Sequence, residues 1–106
     1  MDVATTFGAL GDPVRSAIVE RLVAGDATVN ELAGLFPISL QAVSKHIKVL
    51  EAASVVRRRR EGRTRPVSLE PAALDLAADW IDARRRRLQA SFERLDELLD
   101  EMKGPA

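Results

Sequence analysis

The chain has 106 residues, 46% of them hydrophobic and 30% charged, which is the mix of one ordinary soluble globular domain and argues against two. Sixteen Lys and Arg balance sixteen Asp and Glu, so the formal net charge is zero, and as an average that speaks against a nucleic-acid partner. Without cysteine there are no disulfides, thiolate metal sites or cysteine nucleophiles, and the single histidine, His46, is too few for a tight zinc site within one chain. Met1-Asp2 opens no signal peptide, and the longest uncharged run, 32–44, is too short to span a bilayer. No membrane partner and a cytoplasmic location are therefore expected.

In chain order, Val3, Phe7 and Leu10 fall at i, i+4 and i+7 and predict a short amphipathic helix that Gly11 ends. Asp12-Pro13 supplies an N-cap acceptor and a first-turn proline. They open a second helix with Val14, Ala17, Ile18 and Leu22 on one face, stopping at Gly25-Asp26. Thr28 and Glu31 have capping-box spacing and start a short third helix through Leu32, Ala33 and Leu35, closed by Phe36-Pro37. Ser39 caps a fourth helix to about Ala53. Its buried stripe is Val43, Ile47 and Leu50, which leaves Gln41, Ser44, Lys45 and Lys48 pointing away.

Val55-Val56, four arginines, Glu61-Gly62 and the stretch from Arg63 to Leu69 read as a β-hairpin with a two-residue turn. Pro66 needs a position there whose N–H is unpaired. If Glu61-Gly62 is the turn, Arg60 faces Arg63 and Arg58 faces Arg65, all four on the face that Val56, Val67 and Leu69 continue into the core.

Pro71 opens the last helix, expected to run to about Met102 and to end at Lys103-Gly104-Pro105. Leu74, Ile81, Leu88, Leu95 and Met102 recur every seven residues, and Ala78, Arg85, Phe92 and Leu99 form a second such series offset by four. This is a heptad seam with one flaw, Arg85. About 32 residues make a helix of about 48 Å, longer than so small a domain covers, so the expected partner is the same helix of a second chain. Its first half is expected to pack on its own domain as well. Trp80 reads as a core or interface residue. Arg84 to Arg87 wind around the helix and read as a solvated run paired with Asp79 and Asp82.

Charge is far from uniform along this order. Between Lys45 and Arg65 eight cations (Lys45, Lys48, Arg57, Arg58, Arg59, Arg60, Arg63 and Arg65) are opposed only by Glu51 and Glu61, an excess of +6. From Glu93 to Lys103 five acids outweigh Arg94 and Lys103, a local −3. Two short helices with a polar outer face on the second form a helix-turn-helix, and the hairpin makes it winged. Gln41 suits bidentate bonding to base edges, Ser44 suits base or phosphate, and Lys45 and Lys48 suit guanine acceptors or phosphates. Ser39 marks a helix N-terminus with free N–H groups for a phosphate. Like charges crowded on one hairpin repel, and a DNA backbone or narrow minor groove neutralises Arg58, Arg60, Arg63 and Arg65.

The segment Phe7-Gly-Ala-Leu-Gly-Asp-Pro-Val-Arg15 resembles the opening of ArsR-family bacterial repressors. Ser39-Leu-Gln-Ala-Val-Ser-Lys-His-Ile-Lys-Val-Leu-Glu51 looks like their recognition helix, and Arg58-Arg-Arg-Glu-Gly-Arg63 resembles their wing. The resemblance covers about residues 3–83. It implies a homodimeric winged-helix repressor of an inverted repeat, with the first and last helices at the dimer interface, which brings Phe7 to that interface beside Leu74, Ala78, Ile81, Leu88, Phe92, Leu95 and Leu99. Metal-sensing members carry cysteines where this chain reads Glu31-Leu-Ala-Gly-Leu35, or His, Asp and Glu ligands on the last helix, and residues 71–102 contain no histidine. The long last helix is more similar to a metal-independent branch.

The expected fold is mainly α with a small β-hairpin, one winged helix-turn-helix domain over 1–106. Its helix-turn-helix spans about 28–53, its wing about 55–69 and its dimerisation helix about 71–102. The expected partners are double-stranded DNA and a second copy, with no catalytic residue, metal or cofactor, and no effector is indicated. The alternative is a winged-helix protein-interaction module, whose docking face would be apolar at its centre, where this one has Gln, Ser, Lys and Lys.

Overall fold

The computed structural model describes residues 2–104. Met1, and the Pro105 expected to follow the last helix, lie outside the described residues. The elements are α1 (Val3–Leu10), α2 (Pro13–Val23), α3 (Val29–Ala33), α4 (Leu40–Ala52), β1 (Val56–Arg58), β2 (Val67–Leu69) and α5 (Pro71–Lys103). This is the expected winged helix-turn-helix, mainly helical with one antiparallel hairpin and a long final helix.

Each early helix starts where a short polar side chain takes up N–H groups that the helix leaves unpaired. Asp2 accepts from Thr5, Asp12 from Val14 and Arg15, and Ser39 from Ala42, while Thr28 and Glu31 complete the capping box. Glu70 makes no such bond, and α5 relies on Pro71 at its first position. The exit of α4 is a Schellman turn: Val55 N–H reaches Leu50 O at 2.9 Å and Ser54 N–H reaches Glu51 O at 3.0 Å. Ser54 adopts φ 58° to make it and turns the chain toward β1.

The core lies where α2, α3, α4 and the hairpin meet, with Ile18, Leu32, Val43, Ile47, Leu50, Val55, Val56 and Val67 fully or almost fully buried. Two stripes sit differently from expectation. On α2, Ala17 is exposed and Val19 is buried, because α2 packs against both α4 and β2 and its buried stripe centres between Ile18 and Val19. On α1 the buried residues are Thr6 and Ala9, and Val3, Phe7 and Leu10 are only half-buried. The Thr6 hydroxyl donates to Asp2 O at 3.3 Å, which makes its burial tolerable. Leu35 falls beyond the end of α3 and is exposed.

The hairpin pairs Val56 with Leu69, Arg57 with Ser68 and Arg58 with Val67. Glu61 pairs with Thr64, so the turn is Gly62-Arg63, one residue later than Glu61-Gly62. A two-residue turn on Glu61-Gly62 requires positive φ at the glutamate, whereas the observed turn places its one positive φ, 61°, on Gly62. The expected pairs Arg60–Arg63 and Arg58–Arg65 are thereby replaced. Arg58 faces Val67, and the same register sets Arg60 across from Arg65, between the Arg59–Pro66 and Glu61–Thr64 hydrogen bonds. Ala27 extends the sheet by one residue, exchanging N–H···O bonds of 3.2 and 2.7 Å with Val67.

α5 leaves this body behind. Only Ala73 and Ala77 of its 33 residues are buried, and every residue from Arg84 onward is exposed. The molecule accordingly measures 75 × 26 × 22 Å.

Candidate nucleic-acid interface

Burial of Val43, Ile47 and Leu50 fixes which way α4 faces. Gln41, Lys45 and Lys48 are exposed on its outer side, and Ser44 is half-buried at the edge. The Ser39 hydroxyl is used as the cap, 3.1 Å from Ala42 N, so Ser39 serves the helix start, with the positive end of the helix dipole beside it. Among the described residues no carboxylate lies within 4.0 Å of Lys45 or Lys48.

The wing separates its arginines into two groups. Arg57 lies 3.7 Å from Glu70, and Arg59 lies 2.8 Å from Asp26 and 4.0 Å from Glu61. Arg58, expected on the open face, is only 19% exposed and lies 3.7 Å from Glu51 at the end of α4. Two of its guanidinium nitrogens are buried without a hydrogen-bond partner. The register explains this placement, since the face that carries Arg58 is the one that carries Val56 and Val67 into the core. Arg60, Arg63 and Arg65 are exposed at the tip, and among the described residues none has a carboxylate within 4.0 Å. Arg63 and Arg65 border a groove of about 350 Å³ whose other walls are Thr28, Val29, Asn30 and Thr64. Both hydroxyls are committed, Thr28 to Glu31 and Thr64 to Glu61 O, but free cations beside the exposed Asn30 amide suit a phosphate backbone.

His46, on the α4 flank, lies 3.3 Å from an Arg15 nitrogen and 3.7 Å from Asp12. Arg15 also donates to Ala9 O at 2.6 Å and Gly8 O at 3.4 Å, closing the end of α1. The Arg15 N–H, with that of Val14, holds the Asp12 carboxyl below its usual value, helped by the charges of His46 and Arg15 and opposed by desolvation. This cluster ties the α1–α2 corner to α4, a packing role the lone sequence position of Arg15 did not reveal. Among the described residues no three His, Asp or Glu side chains stand together as a metal site, and no helix is long and apolar enough to cross a membrane.

The expected dimer residues fall on two surfaces. Phe7 is half-buried with its ring edge-on to Trp80, centroids 5.6 Å apart, where α1 meets α5, and Arg84 stacks 4.3 Å above the same indole. Leu74 is half-buried and Ala78 exposed. Ile81, Leu88, Phe92, Leu95 and Leu99 are 43–57% exposed and form an apolar stripe along α5.

Comparison with known proteins agrees with this geometry. A helix-turn-helix domain family matches residues 10–59. The chain is 48% identical over 80 residues to an HTH-type transcriptional regulator of Mycobacterium tuberculosis, Rv2034, covering 71% of this chain and 75% of that protein. It is 33% identical over 75 residues to the transcriptional repressor SdpR of Bacillus subtilis, covering 71% and 83%. Among solved structures, an ArsR family transcriptional regulator, RHA00566, superposes with a TM-score of 0.75 at 34% identity, over 81% of this chain and 89% of that one.

Proposed function

This chain belongs to the ArsR family of winged-helix transcriptional regulators, and we propose that it is a homodimeric repressor that binds an inverted-repeat DNA operator in the cytoplasm. The observation that carries the reading is the row of free cations on the recognition helix and wing tip: Lys45, Lys48, Arg60, Arg63 and Arg65. Gln41 and Ser44 read bases in the major groove, the lysines hold the adjacent phosphates, and the wing arginines follow the backbone or minor groove. Arg58 drops out of the DNA-facing set because it is turned toward Glu51.

The second copy lies along the apolar stripe of α5, with Phe7 and Trp80 at its inner end. A two-fold dimer presents two recognition helices to half-sites about 34 Å apart. The signal that releases DNA is not a metal held by cysteines or by α5 histidines, for the chain has no cysteine and its one histidine is on α4. That supports placement in a metal-independent branch. No catalytic step is part of this reading.

The test is recovery of bound fragments from sheared genomic DNA by the full chain, followed by sequencing. A small set of fragments sharing an inverted repeat, bound with nanomolar affinity, is expected. Absence of any fragment above non-specific background would favour a winged-helix protein-interaction module instead.

A further inference from the structure

The recognition helix begins with an apolar side chain that the fold only half covers. Leu40 is the first residue of α4 and 46% exposed, whereas Val43, Ile47 and Leu50 of the same helix are completely buried. It is not the cap, since Ser39 accepts the Ala42 N–H. Helical spacing puts Leu40 at the edge of the buried stripe, with Val43 and Ile47 at i+3 and i+7 on one side and Ser44 at i+4 on the side that carries Lys48 and Gln41. A half-exposed leucine in a first turn gains little from folding and leaves apolar surface in water.

The N-terminal turn of a recognition helix is the part that meets base edges when the helix enters a major groove. Hydrogen-bonding groups dominate that groove, and the one apolar group a base pair presents there is the thymine 5-methyl. We infer that Leu40 is a specificity-determining residue that reads a thymine 5-methyl group in each operator half-site. The inference rests on the DNA-binding reading above and adds a base identity to it. Gln41 alongside has the amide geometry for adenine N6 and N7, so the two neighbours together favour A·T pairs in the half-site. Ile38 and Leu35 are also exposed, but they precede the cap and lie outside the helix. The outer face that Leu40 borders carries Gln41, Ser44, Lys45 and Lys48, which suits a polyanion and not an apolar protein surface.

The experiment selects binding sites for the full-length chain from a randomised duplex library. Each thymine of the enriched site is then replaced singly by deoxyuridine, which removes only the methyl. One thymine per half-site is expected whose replacement weakens wild-type binding about four-fold, the value of one buried methyl group. Leu40→Ser and Leu40→Gln are expected to bind thymine and deoxyuridine sites equally at that position. The inference is overturned if no thymine-to-deoxyuridine change weakens wild-type binding, or if both variants lose as much as the wild type at the same position. The deoxyuridine scan needs no variant and stands even where a variant fails to fold. If no sequence is enriched at all, the DNA-binding reading itself fails, a result distinct from an enriched site indifferent to the methyl.

Discussion

At the corner between α1 and α2, Asp12 accepts the N–H groups of Val14 and Arg15, while Arg15 donates back to Ala9 O and lies 3.3 Å from His46 on α4. Asp12→Ala removes the cap and is expected to lower the thermal midpoint by about 4–8 °C at pH 7. Because these N–H groups depress the Asp12 carboxyl, its contribution is complete at neutral pH and fades as pH falls through the folded value, below about pH 4. The gap between wild type and variant, followed by thermal melts, therefore narrows in acid; a gap that widened there would contradict the assignment. Asp12-Pro13 is legible in the sequence as a helix start because the signal is local. Arg15 is not, since its partners are carbonyl oxygens and a histidine 31 positions away. Nor is the exposure of Leu40, whose spacing to Val43 and Ile47 puts it at the edge of the buried stripe.

Among the elements, α4 and α5 follow their sequence pattern closely, whereas α1 and α2 bury residues other than those their spacing nominates. α4 buries the three residues its spacing nominates, and α5 runs from Pro71 past Met102 as its heptads require. The hairpin is harder to read because its register turns on which residue takes the positive φ, and a shift of one residue in the turn moves Arg58 from opposite Arg65 to opposite Val67. The bridge that extends the hairpin is a single residue, Ala27, too short to leave a pattern. α5 is the element whose chemistry is least satisfied within one chain, with Leu88, Phe92, Leu95 and Leu99 half-exposed over its outer turns. Leu88→Glu with Leu95→Glu places charge in that stripe. Sedimentation is expected to show the wild type as a dimer and the double variant as a folded monomer; a variant that remained dimeric would remove the stripe from the interface.

Over the whole molecule, a net charge of zero is the sum of two unlike surfaces. The α4–wing segment carries +6, of which Arg57, Arg58 and Arg59 are already paired with acids, leaving Lys45, Lys48, Arg60, Arg63 and Arg65 for a partner. The outer end of α5, from Glu93 to Lys103, offsets half of that excess with a local −3 on a helix that extends away from the core, and the acids of residues 2–31 supply the other −3. The most direct test is the salt dependence of binding to a recovered inverted repeat, measured for the wild type and for Arg60→Ala, Arg63→Ala and Arg65→Ala combined. A steep linear fall of log affinity with log salt is expected for the wild type. The slope should be shallower by up to about 5 in the triple variant, about 0.9 for each of roughly six phosphates that a dimer no longer neutralises, with the dimer intact. An unchanged slope would contradict the wing as a DNA-facing surface.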